Sequence, residues 1–217
     1  NAGGGAHGIE VMTGAPSSTL EHEKTDLEEV WNQLEKTLKE GGMITSGSYS
    51  PDGLGDTDSN QDGLPYNHAF TVINTHELTA FWGNVRLLEV RNPWGSETWK
   101  GEWSDKSENW DLDASLREQV GAYEKDDGRF FMSIEDFHKQ MEYSEYNRDV
   151  SGWEHTFYSM FGDKDIGESQ TVFAGDDKKY NIHNLKFSSE VAQRVIFSVH
   201  RYHPKHYHGF CESAIYE

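Results

Sequence analysis

Cysteine is almost missing from this sequence: Cys211 is the only one in 217 residues. A lone thiol excludes an internal disulfide framework and a cysteine-based zinc site, and its simplest setting is a reducing, intracellular and therefore cytoplasmic compartment. No apolar run approaches the roughly 18–20 residues that span a bilayer. Positive charge is scarce too, with 19 Lys and Arg against 38 Asp and Glu, a net −19. Such a surface repels phosphate backbones and anionic lipid heads, so nucleic acid and membrane surfaces are poor partners. A cationic partner or a bound cation suits it better, although excess acid also serves plain solubility. The chain opens Asn1-Ala2-Gly3-Gly4-Gly5, with neither an initiator Met nor a signal-peptide pattern, as expected of a processed product or a piece of something longer.

Aromatic residues, by contrast, are plentiful: seven Trp, ten Tyr and eleven Phe. A chain that rich in them has a core to build. Residues 1–19 are Gly- and Ser-rich and read as a short strand or turn around Ile9-Glu10-Val11-Met12. Residues 25–40 carry the clearest helical signal. Leu27, Val30, Trp31, Leu34 and Leu38 fall on one face, Thr25-Asp26-Leu27-Glu28 reads as a capping box, and Gly41-Gly42 stops the helix. A short strand follows at 43–50 and an Asp-, Gly- and Pro-containing loop at 51–65. Three strand-like runs, His68 to Asn74, Glu77 to Trp82 and Val85 to Arg91, suggest an antiparallel meander. Its first two strands would join through a short polar turn and its last two through Gly83-Asn84. An irregular stretch with four Trp covers 93–112. A short helix is expected at 113–122, a strand at Arg129 to Met132, and a second helix opening at Ser133 as N-cap. Helical signals stop after about Tyr146. Thr171 to Phe173, Asn184 to Phe187, Val191 to His200 and Gly209 to Tyr216 then read as strands. The expected organisation is an α+β unit over 1–147, followed by an all-β unit over 148–217 that is short for a complete sandwich.

Two segments carry chemistry. In Gly63-Leu64-Pro65-Tyr66-Asn67-His68-Ala69-Phe70, a histidine stands at the start of a strand directly after a loop. In Val85-Arg86-Leu87-Leu88-Glu89-Val90-Arg91-Asn92-Pro93-Trp94-Gly95, a strand ends in Asn-Pro-Trp-Gly, and Pro93 forbids further ladder pairing beyond the asparagine. Neighbouring antiparallel strands can set such a His and Asn side by side. The Asn then accepts from one imidazole nitrogen and fixes the tautomer of the other, the orienting role in a Cys-His-Asn hydrolase. A Trp beside the Asn would keep water from that bond.

These two segments are followed by Trp99-Lys100-Gly101-Glu102-Trp103-Ser104-Asp105, Trp110 and Asp127-Gly128-Arg129-Phe130-Phe131-Met132-Ser133-Ile134-Glu135-Asp136-Phe137. In this order they resemble the second half of the protease core of calpains, which are papain-like cysteine endopeptidases. The likeness covers about residues 6–145. It implies the antiparallel, β-rich half of a papain-like fold, with His68 as general base, Asn92 as its orienter and Trp94 as cover. Residues 146–217 are similar, more loosely, to the C2-like β-sandwich that follows the core in that family.

The resemblance also shows departures. The family's nucleophilic Cys precedes the His in sequence, whereas Cys211 follows both His68 and Asn92 and reads as a half-buried thiol. The catalytic Cys is thus expected on another half, in the same protein or on a separate chain, and this chain alone would not cut peptides. For calcium, the resemblance implies Asp105 and Asp127 as ligands. Thr98 and Arg129 stand where two further acids are expected, and a guanidinium repels a cation, which disfavours calcium there. Asp58-Ser59-Asn60-Gln61-Asp62-Gly63 matches the first half of an EF-hand loop, but Ala69 occupies the position of its bidentate Glu, leaving a solvated, mobile loop as the expectation. His200, His203, His206 and His208 read as a polar hairpin tip rather than a metal site. Two functions follow: the His/Asn-bearing part of a calpain-like intracellular endopeptidase acting on protein substrates, or an inactive calpain-like component of a larger assembly.

Overall fold

The computed structural model describes residues 5–49, 51–152, 169–174 and 178–183. The chain divides into two units, Asn1–Val150 and Ser151–Glu217.

The first unit is built on a six-stranded antiparallel sheet formed by β1 (Ser17–Glu21), β2 (Ile44–Ser48), β3 (Ala69–Ala80), β4 (Gly83–Arg91), β5 (Arg129–Ser133) and β6 (Met141–Asn147), in the order β1-β6-β2-β3-β4-β5. The helices are α1 (Gly5–Thr13), α2 (Leu27–Lys39), α3 (Asn109–Leu112), α4 (Ala114–Val120) and α5 (Ile134–Gln140). This is the α+β class with an antiparallel sheet that the sequence implies. Among the described residues, no helix is long and apolar enough to cross a membrane.

Side chains alternate across a strand, so β4 and β5 feed two apolar layers. Leu88, Val90, Phe130 and Met132 pack with Val30, Trp31 and Leu34 of α2 and with Ile134 and Phe137 of α5. Leu87 and Phe131 pack in a separate cluster with Trp103, Trp110, Leu116 and Val120. The irregular Trp-rich stretch therefore has a structural purpose: it covers part of the sheet. Two of its four indole N–H groups donate to local carbonyls, Trp99 Nε1 to Glu102 at 2.8 Å and Trp110 Nε1 to Ser104 at 2.9 Å.

Several local expectations are corrected. Residues 5–13 are helical, not strand or turn. That helix draws on tertiary partners that a local pattern does not show. The Ala6 amide donates to Glu145 Oε2 at 2.6 Å, Asn147 Nδ2 donates to Thr13 Oγ1 at 3.2 Å, and Glu10 accepts from Ser17. The N-cap of α2 is Asp26, which accepts from the Glu29 amide at 2.9 Å, so the capping box does not form from Thr25. Runs 68–74 and 77–82 are not separated by a turn; they are one long strand, β3. A bulge between Val72 and Asn74 lets the polar Asn74-Thr75-His76 segment stay in the ladder. The β3–β4 connection is Phe81-Trp82, with Ala80 paired to Gly83, rather than Gly83-Asn84. Ser133 caps α5 as expected, accepting from Asp136 N at 3.1 Å. β6, which the sequence reading missed, follows α5 without a turn.

In the second unit, β7 (Ser169–Ala174) pairs antiparallel with β8 (Lys178–His183). β7 contains the Thr171–Phe173 run. The other strands expected in 148–217, together with Cys211 and the four C-terminal histidines, lie outside the described residues.

His22, on the short 3-10 turn after β1, is fully buried, with Nε2 2.9 Å from Ser144 Oγ and its ring stacked on His138. Burial, then the neighbouring His138, lowers its pKa from 6.5 to about 4. A lowered folded pKa means that stability present above pH 6.5 is lost as pH falls towards 4, by about 3 kcal/mol in all. Urea unfolding of the wild type and His22→Gln between pH 7 and 4 is expected to show the wild type losing stability relative to the variant. A constant gap contradicts the assignment.

Candidate active site

The site forms where β3 begins and β4 ends. β3 and β4 pair with Thr71 opposite Arg91. One further step sets Asn92 opposite Phe70, and His68, two residues from Phe70, lies on the same face. His68 is fixed by its own main chain. Its N–H donates to Ser48 Oγ at 3.1 Å, and its carbonyl accepts from the Ser48 N–H at 3.0 Å. Its ring meets Phe70 edge-on, with centroids 4.9 Å apart.

Asn92 is fully buried, and its polar atoms are all engaged. Its N–H donates to Gly128 O at 2.8 Å, and its carbonyl accepts from Gly95 N at 3.1 Å. Its Oδ1 accepts from the Trp94 backbone N–H at 3.0 Å, and its Nδ2 faces Thr98 Oγ1 at 3.5 Å. The same Oδ1 lies 2.9 Å from His68 Nε2. A backbone N–H is an obligate donor, so the Trp94 bond identifies the carboxamide oxygen without ambiguity. His68 Nε2 must then carry the hydrogen, and in the neutral ring Nδ1 holds the free lone pair. Trp94 packs against this pair, its ring centroid 4.2 Å from that of His68, while half of its surface remains exposed. His68, Asn92 and Trp94 are therefore brought together.

Asp105 and Asp127 are placed differently from cation ligands. Asp105 Oδ2 accepts from the Lys125 amide at 3.0 Å, and its own amide donates to Glu97 Oε1 at 2.8 Å. Burial first, then the charge of Asp127, raises the Asp105 carboxyl; burial likewise raises Glu97. Asp127 Oδ1 accepts from the Arg129 amide at 3.1 Å, which lowers its pKa, as does Lys125. Asp105, together with Asp126, whose Oδ1 accepts from the Glu97 amide at 2.8 Å, thus staples the loops at 97–105 and 124–129 to each other. The Arg129 guanidinium does not pair with Asp127; it reaches Glu89, with Nε 2.8 Å from Oε1. Burial opposes ionisation of Glu89, but hydrogen bonds from His76 and Arg129 win and lower its pKa. Among the described residues no group of three or more His, Cys, Asp or Glu side chains is arranged to hold a metal ion. With Asp105 and Asp127 bonded to main-chain amides and the Arg129 guanidinium near Asp127, these residues do not fit calcium.

The EF-hand-like loop is also committed elsewhere. Asn60 Oδ1 accepts from the amides of Asp62 and Leu64, each at 3.0 Å. Asn60 Nδ2 and Asp62 Oδ2 clamp the two ends of the Gln140 carboxamide, at 2.8 and 2.9 Å. Its second half is pinned to α5, which corrects the expectation of a freely solvated loop.

Sequence reasoning missed Gly128 and Ser48 as supports of the site. Gly128 sits at φ +83°, and a Cβ there would lie 2.7 Å from the Asn92 carbonyl oxygen. Gly128→Ala is expected to cost about 2 kcal/mol through strain and to shift the His68 ring resonances, both read on one sample by NMR and thermal melting. Arg129→Gln leaves Glu89 buried without its guanidinium and should cost about 3 kcal/mol. Adding Glu89→Gln should recover part of that loss in a double-mutant cycle. Additive costs would show that the pair is not coupled.

The model of the calpain family of cysteine proteases matches residues 1–146. Calpain-12 of Mus musculus is 35% identical over 108 residues, 50% of this chain and 15% of that protein. Calpain-9 of Rattus norvegicus is 34% identical over 140 residues, 62% of this chain and 20% of that protein. Calpain-5 of Mus musculus is 35% identical over 153 residues, 63% of this chain and 24% of that protein. The chain spans less than a quarter of the length of these relatives.

Proposed function

The chain belongs to the calpain family of cysteine proteases, and we propose that it supplies the His/Asn half of a calpain-like intracellular endopeptidase whose nucleophilic Cys lies on another segment. The observation that carries this reading is the His68 Nε2–Asn92 Oδ1 bond, 2.9 Å long and buried. It leaves Nδ1 as the proton acceptor. In the proposed reaction His68 Nδ1 removes the thiol proton of the Cys-bearing half, and the thiolate attacks a peptide carbonyl. His68 then returns the proton to the departing amine, while Asn92 holds the ring and stabilises its charged form. Trp94 shields the His–Asn bond from water, which would otherwise compete for both partners. Protein substrates follow from that chemistry. The only cysteine of the sequence, Cys211, comes after both residues and has no part in the scheme.

The test uses protein captured from its native source with an antibody against this chain. An electrophilic thiol probe is expected to label a cysteine outside residues 1–217, on the same polypeptide or a co-purifying one. His68→Ala should reduce labelling and peptide cleavage at least about 100-fold, the scale of general base loss. A captured protein that neither labels nor cleaves supports the other reading, an inactive calpain-like component of an assembly.

A further inference from the structure

The β3–β4 turn poses a problem that the active site does not explain. Two-residue turns favour Gly, Asn and Asp, yet this one is Phe81-Trp82. Phe81 is 82% exposed and Trp82 43% exposed, their rings packed edge to face at 4.6 Å. A third apolar side chain, Leu112 at the end of α3, is 59% exposed.

Trp82 and Leu112 border one open groove of about 750 Å³, with Trp103 also on its wall. That volume lies within the range of ligand sites. The groove carries five carboxylates, Glu28, Glu77, Glu102, Glu135 and Asp136, and one cation, Arg86. Arg86 is already taken: its guanidinium bonds both oxygens of Glu28, at 2.9 and 2.5 Å, and lies over the Trp31 ring at 5.2 Å. Asp136 accepts from the Ser133 hydroxyl at 3.0 Å. Glu77, Glu102 and Glu135 have no ion-pair partner within 4 Å among the described residues, and all three are solvent-exposed. Arg86 also acts on Glu77 and Glu135 at longer range, but one cation against five carboxylates leaves the groove net negative, beside exposed indole and leucine surface. Such a combination is complementary to a peptide that carries both Lys or Arg and an apolar anchor. Trp82 can take the anchor or the flat face of a cation, and the carboxylates can take the charges.

We propose that this groove is a docking site for a basic, apolar-anchored segment of a partner protein. It is separate from the His68–Asn92 site: its lining residue Arg86 lies six residues before Asn92 along the β4 course, on the order of 20 Å away. Charge alone does not define it, since the whole chain is acidic; the aromatic turn selects this one face.

The test uses the full chain at 150 mM salt and two fluorescent 12-residue peptides. One alternates Lys/Arg with Trp and Leu; in the other, Trp and Leu are replaced by Gly. The first is expected to bind at least about tenfold tighter. Trp82→Ala and the pair Glu77→Lys/Glu102→Lys should each weaken it at least about tenfold. Glu40→Lys/Glu124→Lys, equal in charge change but outside the groove, should change affinity less than about twofold. Melting temperatures check that each variant folds; the substituted side chains are exposed, so little change is expected. Three results overturn the proposal: equal binding of both peptides, equal loss in the control pair, or self-association of the chain that Trp82→Ala abolishes. The last would make the groove an interface between copies.

Discussion

Asn92 is a carboxamide taken wholly out of water, and much of the first unit is arranged around satisfying it. An unpartnered buried polar group costs about 1–3 kcal/mol. Every polar atom of Asn92 therefore dictates something nearby. Its main chain ties the end of β4 to Gly128 and Gly95, and its side chain ties Trp94, Thr98 and His68 to one point. The same constraint explains why loops with no regular structure, 93–107 and 124–128, hold a definite course. They are cross-linked by Asp105 accepting from the Lys125 N–H and Asp126 accepting from the Glu97 N–H, while Glu97 and Asp127 each brace their own loop. The Arg129–Glu89 pair then anchors the loop end to the sheet.

The chemistry follows from a tautomer rather than from proximity. Proximity of a histidine to an asparagine does not fix the tautomer; here the Trp94 backbone N–H forces Nε2 to donate. The resulting Nδ1 lone pair is what a thiol requires of its base. The ring is further held by Ser48 at its main chain and by Phe70 and Trp94 at its faces. In the proposed reaction, pre-setting the ring in this way is the contribution that the His/Asn half would make by itself.

The sequence made this pair legible because strand endings are punctuated. Pro93 marks where β4 must stop, and the loop before His68 marks where β3 starts. The core stripe of α2 and the Ser133 cap were equally plain, since they rest on local periodicity and capping. What escaped the sequence depends on distant partners. Helix α1 relies on Glu145 and Asn147, more than a hundred residues away, and β6 lacks a simple alternation because its buried set includes Ser144, Glu145 and Asn147. The long strand β3 was read as two because Asn74-Thr75-His76 looks like a turn until a bulge accommodates it. The partner of Arg129 is distant in sequence in the same way: it is Glu89, diagonally across the β4–β5 ladder.

The measurement closest to the central claim is the tautomer of His68. In the ¹⁵N-labelled chain, long-range proton–nitrogen correlations distinguish the hydrogen-bearing nitrogen of a neutral imidazole from the bare one. The account predicts that His68 carries its hydrogen on Nε2 at neutral pH, with Nδ1 bare, and that Asn92→Ala releases this preference into a mixture of tautomers. A hydrogen on Nδ1 in the wild type, or a tautomer indifferent to Asn92→Ala, would contradict it.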